Sequence, residues 1–328
     1  MSLAAVFDLG GTKTLVALIN DKGELCYRKA FPTPKTTCEA VLALCRCELE
    51  AAMSCRGLSW EKLDGLGVSL PGTVNAAQGV LLHAPFAGWR DVPARELLAG
   101  MLPGVRVCVE NDVNACAAGE MRFGVGRQCK NLLWVTVSTG IGGAIIADGR
   151  LIHGFRQTAG ELGHIRVETV RPARCSCGQL GCLEEQASGT SMTRYVREMC
   201  AEDAALAAEM AVQGLAQDAK GAFQLCQSGN LALLSLFKRC GRYLGKALGM
   251  AATLLDPERI VLGGGMATAL PLYMEALMGS MKESLMPDAH VPFVCASPLG
   301  YDAAAIGAAA MVFDAREGVS ARAGADRG

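Results

Sequence analysis

Three thiols and an imidazole crowd one short stretch of the chain. His164 precedes Cys175, Cys177 and Cys182, so four soft or borderline donors fall within nineteen residues. Thiolate and imidazole in such a set are what a tetrahedral structural zinc site takes, and Gly178 and Gly181 permit the reversal that closes it. Four unrelated side chains in a cysteine-rich protein are the competing reading, but the chain has only 4 histidines in all. A redox dithiol would need neither the third cysteine nor the histidine. Glu161 and Glu184 bracket this segment, and a metal would stiffen the loop Thr158–His164 ahead of it. Carboxylates pinned in this way suit sugar hydroxyls, the alternative for either being a solvated surface charge.

Glycine-rich turns offer a second kind of chemistry. Asp8-Leu9-Gly10-Gly11-Thr12-Lys13 lets backbone N–H groups approach an anion, while Thr12 and Lys13 add donors and Asp8 suits a cation or its water. A plain Gly-Gly turn is the competing reading. Ser138-Thr139-Gly140-Ile141-Gly142-Gly143 is a second, hydroxyl-lined copy, and two phosphate loops together suggest a nucleoside triphosphate. Gly263-Gly264-Gly265 would let a base or ribose lie flat on bare backbone, or it serves only as a strand-to-helix turn. In Glu110-Asn111-Asp112-Val113-Asn114-Ala115, Asp112 is placed to accept a hydroxyl proton and Asn111 to orient the donor, unless the pair merely caps a helix.

These residues need elements to hold them. The runs AAVFDL, TLVALI and LCYRKA over residues 4–30, separated by turn signals, predict a three-stranded meander. A helix over 36–56 follows, then a strand at 65–69 stopped by Pro71-Gly72, irregular chain to Pro93, a helix near 94–99 and a strand at 105–109. About 130 residues after the first meander, LLWVTVSTGIGGAIIADGRLI repeats its order of strand, glycine turn, strand, turn, strand. An internal duplication is therefore expected, giving two α/β domains that face a central cleft. Helices over 188–255, strands at 260–262 and 293–296 and an Ala-rich helix at 302–313 complete the pattern, and the tail from 315 is expected to fray.

Composition narrows the function classes. Among 328 residues, 31 basic and 32 acidic side chains leave a net charge of -1, so no electrostatic ground exists for binding nucleic acid. A hydrophobic share of 51% excludes disorder. The uncharged run 131–147 is interrupted by hydroxyls and glycines and does not read as a membrane span. Fifteen cysteines, an odd number set mostly in apolar or helical stretches such as Cys45, Cys47, Cys116 and Cys240, read as buried reduced thiols. MSLAAVFDLGG carries neither a basic leader nor a cleavage signal, which predicts a cytoplasmic chain.

Taken together, DLGGTK at 8–13, ENDVNA at 110–115, STGIGG at 138–143, AGELGH at 159–164, CSCGQLGCLE at 175–184 and VLGGG at 261–265 resemble the ROK (repressor, open reading frame, kinase) family. The resemblance runs in family order to about residue 313. It implies an actin-like, ribonuclease H-type duplicated two-domain fold with a central cleft and a zinc-stabilised loop. The smaller N-terminal domain would take 1–115 plus 301–315 and the larger domain 116–300, with 316–328 a disordered tail. It further implies an ATP-dependent sugar kinase that moves the γ-phosphoryl of MgATP to a hexose 6-hydroxyl, with Mg²⁺ at the phosphates and structural Zn²⁺ on His164, Cys175, Cys177 and Cys182.

Carried over residue by residue, Asp112 matches the catalytic base, and Gly72, Asn111, Glu161, His164 and Glu184 match sugar-holding positions. One ring nitrogen of His164 would bind zinc and the other a sugar hydroxyl. Asp8, Gly10, Gly11, Thr12 and Lys13 with Thr139, Gly140, Gly142 and Gly143 match the phosphate region, and Gly264 and Gly265 the adenosine side. Glucose is the first substrate expected, since Pro71-Gly72, Trp89 and both glutamates are kept. Phe86 stands where glucose-type members have Asn, which leaves N-acetylmannosamine, N-acetylglucosamine, fructose and allose as alternatives. The family also contains non-catalytic sugar sensors and repressors with a winged helix-turn-helix before the first phosphate motif, for which eight residues ahead of Leu9 leave no room. Its members are commonly dimers or tetramers, so a homo-oligomer is expected.

Overall fold

The computed structural model describes residues 2–318. The first half of the chain forms β1 (Leu3–Leu9), β2 (Lys13–Asn20), β3 (Leu25–Pro32), α1 (Cys38–Ser54), β4 (Gly65–Leu70), β5 (Thr73–Asn75), β6 (Val80–Ala84), β7 (Trp89–Val92), α2 (Ala94–Met101), β8 (Val107–Asn111) and α3 (Asp112–Phe123). The second half forms β9 (Leu132–Val137), β10 (Ile141–Ala147), β11 (Arg150–Ile152), α4 (Leu183–Ala187), α5 (Gly189–Glu202), α6 (Ala204–Val212), α7 (Ala219–Gln227), α8 (Leu234–Leu255), β12 (Arg259–Gly263), α9 (Leu270–Ser284), β13 (Phe293–Ala296) and α10 (Ala303–Glu317).

The duplication read from the sequence reappears as topology. One five-stranded sheet has the order β3-β2-β1-β4-β8 and another β11-β10-β9-β12-β13. In each, a meander supplies three strands and two later strands add in parallel: β4 beside β1 and β8 beside β4, β12 beside β9 and β13 beside β12. A parallel neighbour needs a crossover, and helices provide it in both halves.

The described chain divides into two units: residues 2–130 with Ala144–Ala159 and residues 298–318, and Asn131–Gly143 with Gly160–Ser297. The expected boundary at 115/116 falls inside α3, which packs on α10 and so stays with the first unit. Residues 144–159 also belong there, and the C-terminal boundary lies at 297/298 instead of 300/301. Arg316 and Glu317 still belong to α10 and Gly318 caps it, while the rest of the expected tail, from 319, lies outside the described residues.

In the first unit β1 is buried almost throughout because both its faces are covered. Ala5, Phe7 and Leu9 join Val41, Leu42, Cys45 and Leu49 of α1 in one core, and Ala4 and Val6 meet Ala305, Ala308, Ala309 and Val312 of α10 in the other. The stretch expected to be irregular, from Gly72 to Pro93, forms a small antiparallel sheet in the order β5-β6-β7. Burial drives it: Val74, Leu81, Ala84, Trp89 and Val92 extend the α1 core, and Trp89 Nε1 donates to Thr36 O at 2.8 Å. None of the 15 cysteines is in a disulfide, but Cys47 is exposed on α1 rather than buried.

Candidate functional site

In the first unit the chemistry gathers at the C-terminal ends of three parallel neighbours. Register pairs Asp8 of β1 with Ser69 of β4, and Ser69 with Glu110 of β8, so three polar residues stand side by side. Ser69 Oγ donates to Asp8 Oδ1 at 2.8 Å. One residue beyond Glu110 the strand becomes a helix. Asn111 caps α3, its side-chain oxygen accepting the N–H groups of Val113 at 2.9 Å and Asn114 at 3.1 Å. Its amide donates to Gly72 O at 2.8 Å and to Asp112 Oδ1 at 3.0 Å, which brings Gly72, Asn111 and Asp112 together. Asn111 is the main cap, and Asp112, held beside it by the same amide, shares the Val113 N–H through Oδ1 at 2.9 Å.

Both carboxylates carry raised pKa values. Burial, and then the negative charge of Asp8, push Asp112 up to about 7. Asp8 rises to about 6, first through burial and further through Asp302, against the lowering influence of Ser69 and Lys13. Two nearby acids that resist joint ionisation mark a place where a cation would relieve repulsion and where one acid can take a proton near neutral pH. An unperturbed aspartate would be a weak base; this environment makes Asp112 a stronger one. At the first glycine turn, Gly10 N–H donates to Lys13 O at 2.9 Å and the Thr33 hydroxyl to Gly10 O at 2.7 Å. Gly11, Thr12 and Lys13 are left exposed at the tip.

The second unit holds the other expected residues. The Ser138-Thr139-Gly140 turn joins β9 to β10, closed by Ser138 N–H to Gly140 O at 2.9 Å. Gly142 and Gly143, expected in this loop, lie inside β10 instead. The reason is packing, since a Cβ at Gly143 would sit 2.7 Å from Gly160 O. Glu184, in the first turn of α4, accepts the Ile141 N–H on Oε2 at 2.9 Å.

The donor atoms of His164, Cys175, Cys177 and Cys182 all lie within 4.8 Å of one another. Cys177 Sγ is 3.7 Å from Cys182 Sγ, and Cys175 Sγ is 3.6 Å from His164 Nδ1. A tetrahedron with metal–sulfur arms of about 2.3 Å has edges of about 3.8 Å, so the spacing fits a zinc-sized ion. His164 offers Nδ1 to this set while its Nε2 lies 3.9 Å from Glu161 Oε2, so the two ring nitrogens serve different neighbours.

Gly263 and Gly264 are packed on their Cβ sides. The φ of Gly264 is +82°, and a Cβ there would meet Val137 O at 2.6 Å; at Gly263 it would strike the Trp134 ring at 2.2 Å. Gly264 stands at the strand-to-helix turn after β12, and Gly265 opens the helical turn that follows. Sequence reasoning missed a cavity of about 580 Å³ lined by Thr139 together with Thr190, Thr193 and Arg197 of α5 and Asp218, Ala219 and Lys220 at the start of α7. No signal in the sequence links α5 to α7 at this point. It also missed Ser69, and His153, whose Nε2 meets Glu110 Oε2. The side chain of Phe86 lies outside the described residues.

A pair of sheets of identical strand order, one ending in paired carboxylates and the other in a hydroxyl-lined turn next to a Cys₃His set, defines a two-domain α/β protein of the sugar-kinase class. The model of the ROK family matches residues 4–315, and the chain belongs to that family. A glucokinase of Halalkalibacterium halodurans is 36% identical over 80% of each chain. An N-acetyl-D-glucosamine kinase of Pasteurella multocida is 29% identical over 93% of this chain and 97% of that one. The solved ROK family glucokinase of Streptomyces griseus, in complex with glucose and AMPPNP, is 29% identical and superposes with a TM-score of 0.80 over 94% of this chain and 98% of that one.

Proposed function

We propose that this chain is an ATP-dependent hexose kinase of actin-like, ribonuclease H-type fold, with glucose as its first substrate. The observation that carries the reading is Asp112, an acid at the first turn of α3 whose pKa of about 7 suits proton uptake near neutral pH. Likeness along nearly the whole chain to a glucokinase solved with glucose and AMPPNP supports it. In this reading the sugar 6-hydroxyl oxygen attacks the γ-phosphorus, the bond to the ADP oxygen breaks, and the hydroxyl proton passes to Asp112. Asn111 holds Asp112 in place, and Gly72, Glu161, His164 and Glu184 hold the sugar.

Gly10, Gly11, Thr12, Lys13, Thr139 and Gly140 face the phosphates, and the cavity at Thr139 takes the nucleoside end. Asp8 would hold Mg²⁺ or its water, which when bound neutralises charge on the phosphates. His164, Cys175, Cys177 and Cys182 would hold Zn²⁺, whose contribution is to fix the turn that carries Glu161 and Glu184. Among the described residues no helix is long and apolar enough to cross a membrane. A coupled ATP-consumption assay over a hexose panel tests the reading. Turnover on glucose supports it, turnover on acetamido sugars alone moves the chain to the N-acetylmannosamine or N-acetylglucosamine alternative, and none on any sugar overturns it.

A further inference from the structure

The short helix α4 is fastened on two sides. Leu183 N–H donates to Ile165 O at 2.9 Å, and Cys182, the residue before the helix, bridges to Arg166, which ties α4 to the Cys₃His segment. On the other side, the Glu184 side chain accepts the Ile141 N–H just beyond the Ser138–Gly140 turn. Gly140 lies against the same oxygen: a Cβ there would be 2.4 Å from Oε2, so a side chain at 140 and this bond exclude each other. Five residues on, Gly189 N–H donates to Ser138 O at 2.7 Å and Thr190 Oγ1 to Thr139 O at 2.8 Å. Ser138, Thr139 and Ile141 are therefore bonded to the segment 184–190, with Gly140 packed against it, and the one side-chain carboxylate among these contacts is that of Glu184.

We propose that Glu184 is a positioning residue for the nucleotide: Oε2 sets the Ser138–Gly140 turn, leaving Oε1 for a sugar hydroxyl. This deepens the kinase reading and rests on it. The physical argument has two opposing parts. A negative charge beside a turn that faces phosphate disfavours ATP, whereas a backbone N–H bonded to a carboxylate holds the turn in one conformation before the nucleotide arrives. Glu184→Gln separates them, since the amide oxygen still accepts the Ile141 N–H while the charge is gone. Glu184→Ala removes both.

The test is binding of MgAMPPNP to the full chain without sugar, measured calorimetrically, together with hydrogen exchange of the segment 138–143. Loss of one charge-assisted bond predicts a Kd raised on the order of tenfold in E184A, and a Kd equal to or below wild type in E184Q. In turnover, E184A then raises the KM for ATP as well as that for sugar. Exchange in 138–143 speeds up in E184A and is retained in E184Q. Wild-type affinity or tighter binding in E184A overturns the proposal, as a sugar-only role for Glu184 would give. Unchanged exchange in E184A overturns the brace by itself. A wild-type chain that does not bind MgAMPPNP overturns the kinase reading, and is told apart by the absence of any nucleotide heat.

Discussion

Glu110 Oε2 lies 2.7 Å from His153 Nε2, joining the end of β8 to the segment that follows β11. The glutamate is almost wholly buried, and its other oxygen accepts from Asn111 N–H at 2.9 Å and Asn114 Nδ2 at 3.0 Å. The pair thus stands directly behind Asn111 and Asp112. Its bond to Glu110 is the main cause that raises the His153 pKa above the ordinary 6.5. A raised histidine stabilises the fold fully below its unfolded value and loses that contribution as pH rises through its folded value. His153→Ala is therefore expected to cost on the order of 1.5–3 kcal/mol at pH 6 and clearly less at pH 9, read from thermal melts at both values. An equal drop in Tm at the two pH values would contradict a charged pair.

Asp112 should trade stability for function. Its folded pKa, about 7, lies above the unfolded 3.8, so its contribution to stability is present below pH 3.8 and is lost as pH rises through 7. Above that, an ionised carboxylate is forced to remain in a poorly solvated place beside Asp8. Asp112→Asn keeps the Oδ1 acceptor for the Val113 N–H and removes the charge. Without Mg²⁺ or nucleotide, its Tm is expected to exceed wild type by several degrees at pH 8, with the gap narrowing toward pH 5. Turnover should fall on the order of 10²-fold or more while sugar affinity stays roughly intact. Near-normal turnover would leave Asp112 as part of the helix start only.

Cys177 is the exposed member of the Cys₃His set. Metal analysis of the purified wild type is expected to find one zinc per chain. Cys177→Ser should lower that content and raise the sugar KM on the order of tenfold, because His164 belongs to the set and Glu161 neighbours it. A zinc-free wild type with full activity would remove zinc from the account.

Ala219 opens α7 and lines the cavity next to Thr139. Ala219→Trp fills that space. If the nucleoside end lies there, the KM for ATP should rise at least about tenfold with the sugar KM within about twofold. Steady-state kinetics with each substrate varied in turn decides it.

Chain-local information settled a good part of this protein. The thiols of Cys175, Cys177 and Cys182 lie within one short segment, so their grouping follows from spacing and from two glycines that allow the reversal. The meander strands β1 to β3 and β9 to β11 are long or clearly separated enough for alternation and turn residues to declare them, and from them came the duplication. The sheet β5-β6-β7 did not show itself, because strands of three to five residues give too few alternations to rise above loop. Gly142 and Gly143 read as part of a glycine loop but lie inside β10, since composition does not reveal that another part of the chain already occupies the space beside a glycine such as Gly143.

What only the tertiary structure decided are relations across long stretches of sequence: His153 beside Glu110, Ile141 on Glu184, and a cavity assembled from α5 and α7. The pKa of Asp112 belongs with them. Residue type sets an aspartate near 3.8, and it is burial at the start of α3 and the neighbouring charge of Asp8, about a hundred residues earlier in the chain, that carry it to about 7. A sequence names the groups that can do chemistry; how far each is removed from water, and which charge stands next to it, is fixed only when the strands pair.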